Sequence, residues 1–116
     1  MKRIDSSAVG ILQGSRLLFS DFTDGGPMWT GQGDRESRFH VRFGQAFLTA
    51  PAVLLNIGLC DMDHHHNMRA DLTSENISSD GFDIVFRTWG DTRIARIRAD
   101  WTAIGPTIAA DNWQLY

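Results

Sequence analysis

Two alternating patterns separated by a turn, at residues 81–105, constrain the fold of this chain more than any other segment. The apolar positions of the first pattern are Phe82, Ile84 and Phe86, and those of the second are Ala95, Ile97, Ala99, Trp101 and Ala103. Alternation of this kind places the apolar residues on one face of a β-strand. Gly90 and Asp91 supply turn chemistry between the two patterns. The segment therefore predicts a β-hairpin, with Trp89 exposed just before its turn.

Shorter strand patterns, separated by polar loops, fill much of the remaining chain. They lie at about residues 9–13, 16–19, 39–43, 52–60 and 68–72. The apolar run at 52–60 predicts a central strand covered on both faces, in which Cys60 packs as a small hydrophobic residue. Residues 20–36 and 74–80 are predicted as loops, and the first is too long to be only a connector. Because no segment has a convincing helical period, six or seven short strands predict an all-β sandwich or barrel.

The length of 116 residues predicts one domain that covers residues 1–116. Within it we expect an N-terminal arm at 1–8 and a C-terminal tail at 106–116. Trp113 and Tyr116 in that tail are expected to pack against the body of the domain or against a neighbouring subunit.

The net charge of −3 does not favour binding to nucleic acid or to an anionic membrane surface, because both bind proteins with a basic face. We expect neither as a partner. No segment approaches transmembrane length or has the apolar stretch of a signal peptide. We therefore expect no membrane insertion, and either a cytoplasmic location or release by a non-classical route. Cys60 is the only cysteine, which excludes an internal disulfide.

A histidine-rich segment at residues 61–66 contains ligand types that Zn²⁺ and Mn²⁺ accept. Adjacent residues of an extended chain face opposite ways, however, and the spacing matches none of the recognisable zinc motifs. The favoured interpretation is a polar loop that is not a metal site. Adventitious metal, or a metal on a symmetry axis, is the alternative.

The sequence carries none of the motifs typical of catalysis. It contains no nucleophile elbow, catalytic-cysteine context, phosphate loop or dinucleotide fingerprint. Asp34 and Asp91 can be imagined as a pair of carboxylates, but nothing in their spacing places them at a glycosidase separation. We therefore expect a protein that is not an enzyme and that uses no cofactor.

One group of residues has the chemistry of carbohydrate recognition. It combines Trp89 and Arg69 with a polar loop that contains Gln32, Asp34, Arg35 and Glu36. An aromatic ring accepts the apolar C–H face of a pyranose, while guanidinium and carboxylate groups bridge neighbouring hydroxyls. The competing interpretation places Trp89 in the core and pairs Arg69 with Asp71.

Between Ala50 and Gly105 the chain contains a set of motifs in a characteristic order. Its elements are Pro51 to Leu55, Asn67 to Arg69, Gly81-Phe82, Thr88-Trp89, Thr92 and Trp101. This order resembles the H-type lectin domain of snail agglutinins and of the C-terminal part of slime-mould discoidins. The N-terminal half is also similar, through Gly14-Ser15 and the loop from Trp29 to Glu36 that leads into Phe43. The snail protein's N-terminal cysteine pair is absent, which fits a bacterial or phage-like member.

The resemblance implies a six-stranded antiparallel β-sandwich that forms a homotrimer, sometimes stacked into a hexamer. It also implies a shallow site between subunits for galactose or N-acetylgalactosamine glycans. In that family one subunit contributes an arginine and an acidic loop residue, and its neighbour contributes a tryptophan. Arg69 and Trp89 match the arginine and the tryptophan.

Several positions depart from the family pattern. The residue after the tryptophan is a histidine in the snail protein, where it helps to hold the acetamido group, and here it is Gly90. An ungapped alignment places Gln32 at the acidic loop position, with Asp34 close enough to substitute, and Asp91 offers a further acceptor. The carbohydrate site implied by the resemblance therefore consists of Arg69, Trp89, Gly90, Asp91, Gln32 and Asp34.

A second departure favours another function. A tyrosine of the family's site is replaced by Ala95, which together with Gly90 removes two side chains from the site. The alternative to a lectin is therefore a structural or adhesion subunit of a phage-like or cell-surface particle, in which the fold trimerises but the sugar site has decayed.

Overall fold

The structure is a computed structural model and describes residues 1–5 and 8–109. Its elements are β1 (Ala8–Ser20), α1 (Asp21–Asp24), α2 (Pro27–Thr30), β2 (Arg35–Arg42), β3 (Ala52–Met62), β4 (Asp71–Glu75), β5 (Gly81–Thr88) and β6 (Ile94–Thr107). Strands β1, β6 and β3 form one antiparallel sheet with β6 in the centre, and β2, β5 and β4 form the other with β5 in the centre. We call these the β6 sheet and the β5 sheet. The predicted all-β, six-stranded antiparallel sandwich is confirmed.

The core lies between the two sheets and is built from the alternating positions of β5 and β6. The fully buried residues at these positions are Phe82, Ile84, Phe86, Ile97, Ala99 and Ala103. The ring of Trp101 lies 5.5 Å from the ring of Phe82, centroid to centroid. On β1, Gly14 pairs with Trp101, and a Cβ atom there would lie 2.5 Å from the indole. The indole of Trp101 therefore fills the space that a side chain at position 14 would need.

The predicted hairpin at residues 81–105 is wrong, although both of its strands are present. Strand β5 pairs with β2 and β4, whereas β6 pairs with β1 and β3. Alternation determines which face of a strand is buried, but it does not determine which strand lies beside it. Since both strands are central and face the same core from opposite sides, residues 89–93 cross from one sheet to the other. We call these residues the crossing segment.

The prediction of a central strand at residues 52–60 is also wrong. Strand β3 lies at the edge of the β6 sheet, and its register shifts between Ile57 and Leu59. One face of an edge strand in a two-layer sandwich is open to solvent, and Leu54 is accordingly 58% exposed. Cys60 is exposed as well and does not pack as a hydrophobic residue.

The ends of the β6 sheet differ from the predicted boundaries. The patterns at 9–13 and 16–19 belong to one strand, β1, whose register shifts between Leu17 and Phe19. Strand β6 continues to Thr107, inside the segment predicted as a tail. The predicted packing of Trp113 and Tyr116 lies outside the described residues.

Two loop predictions change as well. Strand β4 begins at Asp71 and ends at Glu75, so it starts later than the predicted strand and enters the predicted loop at 74–80. The long loop at 20–36 contains α1 and α2, each of four residues, which are too short to give a helical period. Among the described residues, no helix has the length and apolar character needed to span a membrane.

A network of ion pairs covers the outer face of the β5 sheet. The guanidinium of Arg38 lies 2.9 Å from Glu75 and 3.1 Å from Asp83, and that of Arg87 lies 3.0 Å from Glu75. Val85 belongs to the same outer face, opposite Arg38 in the register, and is fully buried. The long charged side chains therefore cover an apolar residue on the polar face of the sheet.

The network shifts the ionisation of its two acceptor carboxylates. Hydrogen bonds from Arg38 and Arg87 lower the pKa of Glu75. Hydrogen bonds also lower the pKa of Asp83, and the largest contribution comes from Asn76, whose Nδ2 donates at 2.9 Å. Both groups favour the folded state while they are ionised.

We expect the free energy of unfolding to decrease on acidification. A carboxyl whose pKa is lowered by folding stabilises the protein fully above its unfolded pKa of about 4, and this stabilisation is lost as the pH falls through the lowered pKa. Urea denaturation measured from about pH 7 to about pH 3 tests this. The double variant Asp83→Asn, Glu75→Gln should show a smaller pH dependence than the parent. An unchanged pH dependence in the double variant would contradict the assignment.

Candidate functional site

Buried threonine hydroxyls fix the crossing segment at both of its ends. Thr88, the last residue of β5, donates its hydroxyl to the carbonyl oxygen of Arg69 at 2.7 Å. Thr92 donates to the carbonyl oxygen of Asn67 at 2.6 Å. Both threonines are almost completely buried, so each hydroxyl needs such a partner. Residues 67–69 are therefore the support on which the crossing segment lies.

The side chain of Arg69 is held by the crossing segment of the same chain. Its Nη1 lies 2.7 Å from Oδ1 of Asp91, and it also donates to Thr92 Oγ1 at 3.3 Å and to the Trp89 carbonyl at 3.4 Å. Hydrogen bonding lowers the pKa of Asp91 to about 2, chiefly through Arg69 and with a smaller contribution from Asn67. Asp91 is therefore a carboxylate at neutral and mildly acidic pH.

Gly90 sits directly above this ion pair. Its φ of +70° lies in the left-handed region, which residues with a Cβ atom rarely adopt. A Cβ atom at this position would also lie 2.8 Å from Nη1 of Arg69. The absence of a side chain at Gly90, in the predicted turn, therefore leaves the space that the Arg69 guanidinium occupies.

The loop before β2 docks onto the crossing segment through Arg35. Its Nη2 donates to the carbonyl of Gly90 at 3.1 Å, which also accepts the backbone N–H of Gly33 at 3.0 Å. Its Nη1 donates to two carbonyls of α2, at 3.3 and 3.2 Å. Arg93 adds a hydrogen bond from Nε to the Trp29 carbonyl at 2.8 Å. Arg35 and Arg93 organise the site. The sequence placed Arg35 in the polar loop, but it gave no signal for the contacts of Arg35 with Gly90 and of Arg93 with Trp29, which span 55 and 64 positions.

An open cleft of about 380 Å³ lies beside the tryptophan of the crossing segment, and we call it the Trp cleft. Its lining residues are Asp34, Arg35, Glu36, Asp71, Arg87, Thr88 and Trp89. Trp89 is 44% exposed, and Glu36 pairs with Arg87 at 2.9 Å. The cleft thus joins an aromatic surface to several carboxylates and guanidinium groups.

A second, more polar cleft of about 260 Å³ lies next to Asp91, and we call it the loop cleft. Its lining residues are Thr30, Gly31, Gln32, His66, Asp91 and Arg93. The walls combine an amide, an imidazole, a carboxylate and a guanidinium. These groups suit the recognition of hydroxyls and other neutral polar groups.

The six residues predicted for the site are divided between these clefts. Trp89 and Asp34 line the Trp cleft, and Gln32 and Asp91 line the loop cleft. Arg69 lies between the two groups, since it contacts both the Asp91 carboxylate and the Trp89 carbonyl, and it reaches them beneath Gly90. A single chain therefore brings all six residues to one region without placing them in one cleft.

The structure decides between the competing interpretations of these residues. Trp89 is exposed and not part of the core. Arg69 forms a salt bridge with Asp91, so the predicted alternative of a pair with Asp71 is wrong. Asp34 and Asp91 line separate clefts and do not form a catalytic pair of carboxylates.

The match to known proteins extends over most of the sandwich. Residues 38–104 match the H-type lectin domain family, which is more than half of the 116 residues. The chain belongs to the H-type lectin family. The predicted resemblance is confirmed, and the chain is a carbohydrate-binding lectin module. Since a lectin binds sugars without transforming them, the prediction that the protein is not an enzyme is confirmed as well.

Individual relatives of this H-type lectin domain include discoidins, which agree with the family match, and a bacterial open reading frame. One of the discoidin-1 subunits of Dictyostelium discoideum is 39% identical over 75 residues, which cover 64% of this chain and 30% of that protein. A Fuscovulum blasticum protein named ATP synthase subunits region ORF 7 is 55% identical over 115 residues, 99% of each chain. The structure of recombinant discoidin II of Dictyostelium discoideum superimposes with a TM-score of 0.73 and 28% identity, covering 86% of this chain and 38% of that one. This domain therefore spans about a third of the length of the discoidins.

We expect the pairing of Gly90 with Arg69 to be measurable as stability. An alanine in the left-handed region costs about 1 to 2 kcal/mol from backbone strain alone. Gly25 has a φ of +65° with no atom within 4 Å of the site of its Cβ, so Gly25→Ala measures that strain by itself. Gly90→Ala should lower the free energy of unfolding further, because it also displaces the guanidinium. Equal losses in the two variants would show that Arg69 does not need the glycine.

Proposed function

We propose that this lectin module binds galactose- or N-acetylgalactosamine-type glycans, with the Trp cleft as the aromatic half of the site. The observation that carries the proposal is the exposure of Trp89 beside the carboxylates of Asp34, Glu36 and Asp71. The apolar C–H face of a pyranose stacks on an indole, and a carboxylate accepts hydrogen bonds from two neighbouring hydroxyls. This cleft offers both kinds of contact within reach of one sugar ring.

The second half of the site is the loop cleft of a neighbouring subunit. Trp89 lines the Trp cleft, and Asp91 and Arg93 line the loop cleft, so each copy presents two unlike clefts along the crossing segment. A head-to-tail contact that repeats around a rotation axis brings unlike surfaces of neighbouring copies together and closes into a ring. In a homotrimer, Trp89 of one subunit then meets Gln32 and Asp91 of the next.

Arg69 is the donor that joins the two halves. Among the described residues, every hydrogen bond of its guanidinium starts at Nη1. A guanidinium has five N–H donors in a fixed plane, and the Arg69 side chain is 28% exposed. In this proposal, the donors of Nη2 and Nε are assigned to sugar hydroxyls. Asp91 and Gly90 have supporting roles, since the carboxylate orients the guanidinium and the glycine leaves space for it.

The outer face of the β6 sheet supports the proposed trimer. Val9 and Ile11 of β1 are 53% and 61% exposed, and Leu54 of β3 is also largely exposed. Ile104 of the central strand β6 lies opposite Ile11 in the register, so the apolar residues form one patch across three strands. An apolar patch on a sheet face is typical of a protein interface. We propose that further copies of this chain cover it in a trimer, or in a hexamer of two stacked trimers.

Replacing the tryptophan tests the sugar site. Trp89→Ala should weaken binding to galactose- and N-acetylgalactosamine-bearing glycans at least tenfold, because stacking of an aromatic ring on the sugar contributes about 1.4 kcal/mol or more. Phe22→Ala is the matched control, since Phe22 is also an exposed aromatic residue but does not line the Trp cleft. Surface plasmon resonance on immobilised glycans, at equal folded fraction, measures both. Unchanged binding by Trp89→Ala would contradict the proposal.

A charge in the apolar patch tests the assembly. Ile11→Asp together with Leu54→Asp should convert the trimer to monomers in sedimentation velocity, because burying two carboxylates in an apolar contact is unfavourable. Ile77→Asp, on the turn between β4 and β5, is the control and should leave the trimer intact. Glycan binding should be lost with the trimer if the site lies between subunits. Monomers that bind glycans as tightly as the parent would contradict an intersubunit site.

The second candidate function is a structural or adhesion subunit of a particle with a degenerate sugar site. The observation in its favour is Gly90, which adds no side chain to the site and at which a Cβ atom would lie 2.8 Å from Nη1 of Arg69. This candidate predicts a stable trimer that binds nothing on a broad glycan array, so the array separates it from the lectin proposal.

A further inference from the structure

The turn between β3 and β4 brings a carboxylate and two imidazoles together. One ligand atom from each of Asp63, His64 and His65 lies within 4.8 Å of the other two. The rings of His64 and His65 have centroids 3.9 Å apart, so these adjacent side chains are on the same side of the backbone. From this geometry we propose a binding site for a divalent transition metal such as Zn²⁺. The proposal does not depend on the carbohydrate site.

The sequence argument against a metal assumed an extended chain at residues 61–66. Strand β3 ends at Met62, and the following residues form a turn. The rule that adjacent side chains face opposite ways applies to strands, so it holds for Asp61 but not for residues 63–65. In the turn, the side chains of residues 63–65 therefore point toward one another and not to opposite sides of the chain.

Hydrogen bonds already orient the carboxylate of this cluster. Oδ1 of Asp63 accepts the backbone N–H of His65 at 2.9 Å, and Oδ2 lies 3.0 Å from Nδ1 of His66. Each carboxylate oxygen retains a further lone pair for a cation. A ligand that is itself held by a second hydrogen-bonding residue is a common feature of protein metal sites. His66 thus fixes Asp63 without being one of the three ligands.

The donor set indicates the class of metal. Two imidazole nitrogens and one carboxylate oxygen suit Zn²⁺ and its neighbours in the first transition row, whereas Mg²⁺ and Ca²⁺ prefer oxygen ligands alone. Tetrahedral ligation at about 2.0 Å places ligand atoms roughly 3.3 Å apart. Both histidines are exposed and can rotate to close the remaining difference. Three protein ligands leave one position for water.

A metal here would also brace the crossing segment. The backbone N–H of Asp63 donates to the carbonyl of Arg93 at 2.9 Å. At the other end of the turn, Asn67 donates to Asp91 through its side chain and accepts the hydroxyl of Thr92. A metal that fixes the turn therefore also restricts the motion of residues 91–93, to which the turn is hydrogen-bonded at both ends. Because the metal binds the folded state, it should raise the thermal stability of the domain.

Calorimetric titration of untagged, metal-free protein with ZnCl₂ tests the proposal. We expect saturable uptake of one Zn²⁺ per chain with a rise in Tm, and no comparable response to MgCl₂. The double variant His64→Ala, His65→Ala should bind at least tenfold more weakly. His40→Ala removes an exposed histidine from β2 and should bind as the parent does, and so should Cys60→Ser, which excludes the exposed thiol as the ligand.

Three results would overturn the assignment. The first is an absence of saturable Zn²⁺ uptake by the parent chain. The second is equally tight binding by the double histidine variant, measured on protein that circular dichroism shows to be folded. The third is a loss of binding in His40→Ala or Cys60→Ser as large as in the double variant. Glycan binding is measured separately, so failure of the metal site leaves the lectin proposal intact.

Discussion

The crossing between the two sheets is the constraint on which the site depends. Five residues, 89–93, carry the chain from the centre of one sheet to the centre of the other, and the Arg69 guanidinium fills the space beneath them. Arg35 holds the preceding loop against the same backbone. The exposed tryptophan, the Trp cleft and the loop cleft are all positioned by this one segment. A change at Arg69 or Gly90 therefore affects both clefts at once.

The sequence predicts the strands well because burial acts locally. Phe82, Ile84 and Phe86 occupy every second position of their strand, and the structure buries all three. Which strands pair is a different question, because pairing depends on residues far apart in the chain. The same alternating pattern allows two consecutive amphipathic strands either to pair as a hairpin or to face each other across a core. Which arrangement forms depends on the other strands that pair with them, β1, β2, β3 and β4. The apolar run of β3 misleads for a related reason, since an edge strand of a subunit can carry apolar residues on its outer face.

The candidate site was predictable in its residues but not in its connections. The Gly-Asp turn marks the position of Trp89, and the family resemblance points to Arg69. The pairing of Arg69 with Asp91 spans 22 positions and that of Arg35 with Gly90 spans 55, so neither leaves a periodic or local signal. The geometry of the histidine turn was missed for the opposite reason, and whether the turn holds a metal remains a proposal. Its residues are adjacent in sequence, but the prediction applied strand geometry just beyond the end of a strand.

Gly90, Arg69 and Asp91 form a unit whose members constrain one another. The left-handed φ disfavours a side chain at Gly90, and a Cβ atom there would displace the Nη1 group of Arg69 that pairs with Asp91. A histidine at position 90 would require the arginine to move. Under the proposed function, selectivity then comes from groups at the edges of the clefts. Carboxylates such as Asp34 and Asp71 accept hydrogen bonds from hydroxyls but not from an acetamido carbonyl, which is itself an acceptor, so an acetamido group meets them only through its single N–H. We therefore expect the site to read the hydroxyl pattern of a galactose ring more strongly than its 2-substituent.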